Sequence, residues 1–207
     1  MKSHKVVALV VCSLIVAAAG TVAAGEFVPL FDGKTLKGWN AAPGGKWEVK
    51  DGAIVGTSPK TEKRHGMLLS DKTYGDFVLR VKFKSLKGNS GLYFRSEKVD
   101  TPVTVNGFQA EVAPTGPVGG LYETGGRAWV VKPSPELVKK CFKPNDWNEM
   151  TVTAEGKNVT VKLNGTTTAE LRNDPGRLKG YFGLQLHGNN EMHVEFKDIE
   201  IKVPAGK

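Results

Sequence analysis

Cysteine is nearly absent from this sequence, because its 207 residues contain only Cys12 and Cys141. Small secreted domains that depend on disulfide frameworks carry many more cysteines, and structural zinc sites built from paired Cys-x-x-Cys motifs need four. The chain fits neither class. Its fold must therefore be held together mainly by burial of apolar side chains, for which a chain of this length is sufficient.

Long apolar runs are also scarce, since the only one extends from Val6 to Ala19. Lysines precede this run and small residues follow it up to Ala24, which is typical of a secretory signal peptide. We therefore predict a signal peptide over residues 1–24 and a single domain over residues 25–207 that is secreted or periplasmic. An uncleaved membrane anchor is the alternative interpretation.

Basic residues outnumber acidic ones, 29 against 21, but they do not form blocks. Cleavage would remove two lysines and Cys12, which lowers the formal charge of +8 and leaves Cys141 without an intramolecular partner. Lys82, Lys84 and Lys87 are the nearest approach to a cluster, and they alternate with apolar residues as on a solvated strand face. We predict no nucleic-acid partner and, after cleavage, no membrane contact, while the oligomeric state stays open.

The familiar catalytic and cofactor motifs are missing. The sequence contains no G-x-S-x-G, Walker loop or H-E-x-x-H motif, and His65, His187 and His193 do not have the spacing of metal ligands. We therefore predict no cofactor and assign no metal site. Oxygen ligands that suit calcium occur in many loops without a spacing that marks a site, so a structural calcium ion stays open.

What the sequence does contain is alternation of apolar and polar residues with a period of two. Residues 77–83 alternate in this way, as expected for a strand with one buried face. Residues 150–154 and 159–163 show the same pattern and predict a hairpin, a change of parity near residues 197–198 predicts a β-bulge, and only residues 135–140 indicate a helix. These patterns predict an all-β fold, an antiparallel two-sheet sandwich of the jelly-roll type.

Three of the expected strands carry polar residues two positions apart on the face away from the core. The pairs are Tyr93 with Arg95, Gln109 with Glu111, and Gln185 with His187. An ordinary solvated face is the alternative for any single pair, although such faces usually carry Lys, Glu and Thr. Because side chains of these types stack on and hydrogen-bond polyhydroxylated ligands, we predict a carbohydrate site on this face.

Residues 31–39 read FDGKTLKGW and resemble the opening of the 3-keto-disaccharide hydrolase domain family. The resemblance extends from about residue 27 to residue 202 through further short motifs: Asn89-Ser90-Gly91, Phe94-Arg95, Gly119-Gly120-Leu121-Tyr122, Trp147-Asn148, Asn164-Gly165 and Gly183-Leu184-Gln185-Leu186-His187. It implies a concanavalin A-like jelly roll with a sugar site on its concave sheet, usually in exported bacterial proteins. Many members place an acidic residue before a glutamine, whereas Gln109 precedes Glu111 here, and Ala113-Pro114 stands where an aspartate often follows.

The resemblance implies cleavage of a 3-keto sugar. The keto group acidifies the hydrogen on C2, so one general base can start elimination of the group on C1. We assign Glu111 as this base, Arg95 as the anchor of the keto oxygen and His187 as the acid that protonates the leaving oxygen. The residues expected to bind the substrate are Tyr93, Gln109, Tyr122, Glu123, Arg127 and Gln185. The loop from Tyr122 to Arg127 is expected to close the site, with Glu123 as a second possible base.

The expected function is therefore that of an exported hydrolase acting on a 3-keto-disaccharide or a related sugar, with carbohydrate as its partner. Two alternatives stay open. A non-catalytic carbohydrate-binding module would use the same face without an acid and a base, and a structural or adhesive domain would leave the polar strands without a ligand.

Overall fold

The computed structural model describes residues 25–101 and 103–204, and the predicted signal peptide lies outside these ranges. The described chain forms fifteen strands and one helix. In chain order these are β1 (Val28–Pro29), β2 (Trp39–Ala41), β3 (Lys46–Lys50), β4 (Ala53–Ser58), β5 (Gly66–Tyr74), β6 (Phe77–Lys87), β7 (Ser90–Lys98), β8 (Val105–Val112), β9 (Leu121–Thr124), β10 (Ala128–Val131), α1 (Pro135–Cys141), β11 (Asn148–Glu155), β12 (Asn158–Leu163), β13 (Thr166–Leu171), β14 (Gly180–Leu186) and β15 (Met192–Lys202).

The strands form two antiparallel sheets. The eight-stranded sheet has the order β13-β12-β11-β6-β15-β4-β3, and β1 pairs with β15. The seven-stranded sheet has the order β10-β9-β8-β7-β14-β5-β2. The prediction of an all-β antiparallel two-sheet fold is confirmed.

The core lies between the two sheets and follows the period of two that the sequence shows. In β6 the buried residues Phe77, Leu79, Val81 and Phe83 alternate with partly exposed ones, because successive side chains of a strand point to opposite faces. Aromatic rings join the two sheets, with Phe77 of β6 packed edge-to-face on Phe182 of β14 at 4.8 Å between ring centroids. Burial of these side chains is the main stabilising contribution, at roughly 1.5–3 kcal/mol for each large apolar residue.

The local features expected from the sequence are also present. β11 and β12 pair as the predicted hairpin, and the register of β15 against β6 shifts between Lys197 and Glu200, where the bulge was expected. The helix α1 begins after Ser134, whose Oγ accepts a hydrogen bond from the backbone N–H of Leu137 at 3.2 Å. The sequence thus predicted one hairpin and one bulge of this sheet, together with the helix.

The outer face of the eight-stranded sheet carries the lysines that alternate along β6. Lys82, Lys84 and Lys87 pair with acidic partners on the neighbouring strand and its approach, at 2.6 to 2.8 Å. The positive charge of this face is therefore largely matched locally. Among the described residues, no helix has the length and apolar character needed to cross a membrane.

Candidate functional site

The outer face of the seven-stranded sheet holds a pocket of about 300 Å³. The strands β7, β8 and β14 form its floor, and register brings their polar positions together, because Tyr93 lies opposite both Gln109 of β8 and Gly183 of β14. The lining residues are His65, Asn89, Tyr93, Val103, Gln109, Glu111, Tyr122, Thr124, Trp129, Gln185 and His187. Four of these, Tyr93, Gln109, Glu111 and Gln185, come from the three strands in which the sequence showed polar residues two positions apart, and His187 directly follows β14.

Glu111 is the carboxylate of the pocket and is only 3% exposed. Its Oε1 accepts a hydrogen bond from Asn89 Nδ2, and its Oε2 accepts one from Gln109 Nε2 at 2.8 Å. Burial raises the pKa of Glu111 to about 7, although the two amide donors act in the opposite direction by favouring the charged form. No lysine or arginine lines the described pocket, so no cation restores the ordinary acidity of this carboxyl.

Gly91 explains why Gln109 can reach Glu111. The two residues of β7 and β8 that face each other here are Gly91 and Glu111. A Cβ atom added to Gly91 would lie 2.4 Å from Cγ of Gln109, which is shorter than real Cβ contacts allow. The glycine therefore leaves the space in which the amide of Gln109 lies against the carboxylate.

A chain of hydroxyl and amide groups crosses the floor beside Glu111. The hydroxyl of Tyr93 lies 2.8 Å from Thr124 Oγ1 and accepts a hydrogen bond from Gln185 Nε2 at 3.1 Å. Burial raises the pKa of Tyr93, so its hydroxyl stays neutral at physiological pH. Gln185 Oε1 is buried without a partner among the described residues. A buried acceptor of this kind costs roughly 1–3 kcal/mol unless a ligand donates to it.

Two histidines form one wall of the pocket. The rings of His65 and His187 pack edge-to-face with centroids 4.3 Å apart. Nδ1 of His187 lies 2.7 Å from the carbonyl oxygen of Gly188, to which it donates when it carries a hydrogen, and Nε2 then remains for the pocket. Burial, together with the charge that His187 can carry, lowers the pKa of His65 to about 4, so His65 is neutral at physiological pH.

An aromatic pair forms another wall of the pocket, on the side of the edge strand β10. Tyr122 of β9 lies opposite Gln109 in the register of the sheet, and the ring of Trp129 in β10 packs edge-to-face on Tyr122 at 5.4 Å between centroids. Both side chains line the pocket. The pocket therefore combines a polar floor with one apolar wall, as small-molecule sites commonly do.

The prediction that Arg95 faces the same side as Tyr93 is wrong. Arg95 has a positive φ of 48° at an irregularity in the pairing of β7 with β8, so the alternation of side chains ends there. Its guanidinium is buried and donates, over 2.9 to 3.3 Å, to three backbone oxygens and one carboxylate: Gly75, Gly156, Arg177 and Asp76. Arg95 joins three turns at one end of the sandwich and does not line the pocket.

The predicted placement of Glu123 and Arg127 in the site is also wrong. Glu123 pairs with Phe108, a core residue, so its side chain lies on the opposite face of β9 from Tyr122. There Glu123 Oε2 accepts a hydrogen bond from Arg127 Nε at 2.5 Å, and Arg127 also binds Asp174 at 2.7 and 3.0 Å. The loop after Tyr122 is thus fastened by ion pairs away from the pocket, and Glu111 is the pocket's carboxylate.

Sequence reasoning missed five lining residues: His65, Asn89, Val103, Thr124 and Trp129. His65 and Asn89 precede their strands and have no periodic partner, so no pattern indicates them. Trp129 belongs to the edge strand β10, which lies beside Tyr122 of β9. Trp39 does not line the pocket, because its ring is buried and its Nε1 donates to the Leu30 carbonyl at 2.9 Å.

Within residues 25–101 and 103–204, no three side chains among His, Cys, Asp and Glu come together in a group that could hold a metal ion. Cys141 is a free, buried thiol whose Sγ donates to the carbonyl of Leu137. The polar groups of the pocket are thus mainly amides, hydroxyls and imidazoles beside one carboxyl.

Residues 26–202 match the family model described as a 3-keto-alpha-glucoside-1,2-lyase-like domain. This match spans nearly the whole described chain and confirms the resemblance seen in the sequence motifs. Among proteins with curated descriptions, none matches significantly.

Solved structures with the same fold include carbohydrate-active proteins. The carbohydrate binding module CBM66 from Bacillus subtilis superposes with a TM-score of 0.63 at 19% identity, over 80% of this chain and 96% of that one. A Parabacteroides distasonis protein provisionally assigned as a glycosyl hydrolase gives a TM-score of 0.63 at 21% identity, over 86% and 93%. A Bacillus licheniformis β-glucanase gives 0.60 at 12% identity, over 88% and 100%. These similarities confirm the concanavalin A-like jelly roll.

Proposed function

Because the chain belongs to the 3-keto-alpha-glucoside-1,2-lyase-like domain family, we propose that it cleaves the glycosidic bond of a 3-keto-glycoside with Glu111 as general base. A carbohydrate-related function follows from the family itself. The observation that supports the catalytic proposal is the protonation behaviour of Glu111, a buried carboxyl whose pKa is raised to about 7 in a pocket lined by sugar-binding side-chain types. A general base is most effective when its pKa lies near the working pH.

The reaction is an elimination at the carbon next to the keto group. The ionised carboxylate of Glu111 takes the proton from C2, and the electron pair of that C–H bond forms an enolate with C3 and its oxygen. The enolate then re-forms the C3 carbonyl and makes a C1=C2 double bond while the bond from C1 to the glycosidic oxygen breaks. His187, protonated, gives its Nε2 proton to the leaving oxygen. Addition of water across C1=C2 completes a net hydrolysis, with OH on C1 and hydrogen on C2.

The enolate oxygen needs a donor, and Arg95 does not line the pocket, since its guanidinium is bonded to other partners. His65 is the group that suits this role, because its lowered pKa keeps it neutral and one ring nitrogen then carries a hydrogen. A neutral imidazole can polarise a carbonyl without being consumed as an acid. The hydroxyl groups of the sugar are bound by Gln185, whose buried Oε1 lacks a partner, and by Tyr122 and Thr124.

The decisive experiment compares Glu111→Gln with Glu123→Gln on a panel of 3-keto-glucosides and their unoxidised counterparts. Both variants remove one carboxylate, but only Glu111 lines the pocket. We expect cleavage of the keto substrates alone, a loss of about 10²- to 10⁴-fold in kcat for Glu111→Gln, and little change for Glu123→Gln. His65→Phe should lower kcat more than it changes KM, because the enolate develops only in the transition state.

A non-catalytic binding module is the second candidate, and the unpartnered Gln185 Oε1 favours it equally, since a lectin also needs such acceptors. The same panel separates the two. If no glycoside is cleaved while Glu111→Gln binds sugars as tightly as the unaltered protein, the enzymatic proposal is wrong. If Glu123→Gln abolishes cleavage instead, the base is misassigned.

We further propose that the protein is exported, with residues 1–24 removed as a signal peptide. The apolar run preceded by lysines supports this, and the family match begins at residue 26, directly after that segment. N-terminal sequencing of the protein recovered from the periplasm or the medium would give Gly25 as the first residue. A protein that keeps Met1 and sediments with membranes would show an anchor instead.

A further inference from the structure

A second cavity of about 600 Å³ lies beside the edge of the seven-stranded sheet and has a different character from the pocket. It is lined by five prolines together with Val138 and Phe142. Its polar side chains are Thr115, Lys132 and Lys139, all of them exposed. We call this cavity the proline groove, and nothing in the proposed reaction uses it.

The proline groove begins next to the aromatic wall of the pocket. A Cβ atom placed on Gly120 would lie 3.0 Å from Cζ3 of Trp129 and 3.0 Å from Cδ of Pro133. Both rings therefore lie against the same glycine. Trp129 lines the pocket, whereas Pro133 lines the groove, so the two cavities adjoin at Gly120. Lys132, another groove residue, places Nζ 4.9 Å from the centroid of the Trp129 ring.

The size of the pocket makes this proximity important for a glycoside. A volume of about 300 Å³ is at the lower end for small-molecule sites. A glycoside with a large group on C1 would therefore extend beyond the polar floor. The adjoining rings of Trp129 and Pro133 offer one direction in which that group meets protein surface rather than solvent.

We propose that the proline groove binds the leaving group of the substrate and that this leaving group is an aromatic aglycone rather than a second sugar. The inference rests on the proposed function and names its substrate class. A second sugar would place several hydroxyl groups against proline, valine and phenylalanine side chains, and each unpaired hydroxyl costs roughly 1–3 kcal/mol. A flat apolar ring has no such cost and gains free energy from the buried area.

The composition of the groove supports an aromatic group in particular. The proline rings of the groove, and Trp129 of the adjoining pocket wall, are rigid surfaces, so little side-chain entropy is lost when a ring packs against them. The two lysines stand at the exposed rim, where their charges remain hydrated and do not oppose an uncharged ring. The polar floor would hold the keto sugar while the apolar groove holds the aglycone.

The test uses 3-keto-glucosides whose leaving alcohols have nearly equal acidity. Differences in kcat/KM between them then reflect binding of the leaving group and not the ease with which its bond to C1 breaks. Methanol, 2-phenylethanol and the primary hydroxyl of glucose provide a small, an aromatic and a polar leaving group. We expect kcat/KM for the 2-phenylethyl substrate to exceed that for the other two by about tenfold or more. In Trp129→Ala and Phe142→Ala this preference should fall toward unity, whereas Leu178→Ala, which removes an exposed side chain outside both cavities, should retain it.

Calorimetric binding of the unoxidised glucosides separates the two proposals. If no keto substrate is cleaved, the proposed function is wrong, and the groove is then judged by whether the 2-phenylethyl glucoside binds about tenfold more tightly than methyl glucoside. Equal affinities, or a preference for the disaccharide in either assay, would overturn the aromatic-aglycone assignment. A preference that survives in both Trp129→Ala and Phe142→Ala would also overturn it, because the aglycone would then bind elsewhere.

Discussion

Gln109 Nε2 donates a hydrogen bond to Glu111 Oε2 over 2.8 Å, although the two residues lie on one strand and only two positions apart. Neighbours of this kind normally point along the same face without touching. The contact is made inside a buried site, where an amide favours the charged carboxylate while burial disfavours it. The ionisation of Glu111 is therefore set by a balance that a small displacement of Gln109 would disturb.

The first prediction concerns how the ionisation of Glu111 controls the pH dependence of activity. Because Glu111 must be ionised to act as a base, kcat/KM should fall as the pH is lowered through about 7. Gly91→Ala would push the Gln109 amide away from the carboxylate, since the new Cβ would overlap its side chain. Loss of this donor should raise the pKa of Glu111 and move the acid limb to higher pH. A pH–rate profile of both proteins measures this shift.

A control for the first prediction is Gly165→Ala, at a turn where an added Cβ meets no neighbouring atom and the strain comes instead from a positive φ of 83°. It should cost stability and leave the limb in place. An unchanged limb in Gly91→Ala would show that Gln109 does not tune the carboxyl.

The second prediction concerns how the raised pKa of Glu111 makes the stability of the fold depend on pH. The pKa of Glu111 is about 7 when folded and 4.5 when exposed, so the folded state holds the proton more tightly. The protonated carboxyl of Glu111 therefore contributes to the free energy of unfolding fully below pH 4.5, and this contribution is lost as the pH rises through about 7. The loss amounts to about 3 kcal/mol. Glu111→Gln removes this loss. Urea unfolding should find the variant more stable than the unaltered protein at about pH 8.5 and similar at about pH 5.

The contrary outcome for the second prediction is a variant whose stability parallels that of the unaltered protein across this range. It would mean that Glu111 ionises without penalty, and the argument for a tuned base would lose its support.

The third prediction concerns Arg95, the residue that the sequence placed in the site. Its guanidinium satisfies three backbone carbonyls at separate turns, so Arg95→Met would leave them unpaired in a buried place. We expect a loss of about 3 kcal/mol or more in unfolding free energy. Arg172→Met is the matched control, because Arg172 is 80% exposed and its ion pair should contribute less than about 1 kcal/mol.

Activity measured at low temperature, where Arg95→Met is still folded, distinguishes a structural from a catalytic role. The structure predicts kinetic constants close to those of the unaltered protein. A stable variant whose kcat has collapsed would restore Arg95 to the active site.

Most of the predicted residues that line the pocket lie on regular strands, and His187 directly follows β14. Gln109, Glu111 and Gln185 follow the period of two, and flanking apolar residues set which face they occupy. Arg95 follows the same pattern in the sequence, but the positive φ that turns it away has no signature in a non-glycine residue. His65 reaches the site through its contact with His187, a tertiary relationship that no local pattern carries.

The same distinction applies to the fold. The hairpin of β11 and β12 and the bulge of β15 depend on neighbouring residues, so the sequence predicts them. The order of strands within each sheet depends on which distant segments pair, and alternation alone does not specify the partners. The resemblance to a family, and not the pattern, supplied that level of description.

The last strand of the chain lies in the middle of its sheet, because β15 pairs with β6 on one side and β4 on the other. Until residues 192–202 have left the ribosome, β4 and β6 have no partner along these edges, and the eight-stranded sheet cannot close. Pairings between such distant segments form slowly. Closure of the eight-stranded sheet therefore depends on β15, whatever part of the chain folds earlier.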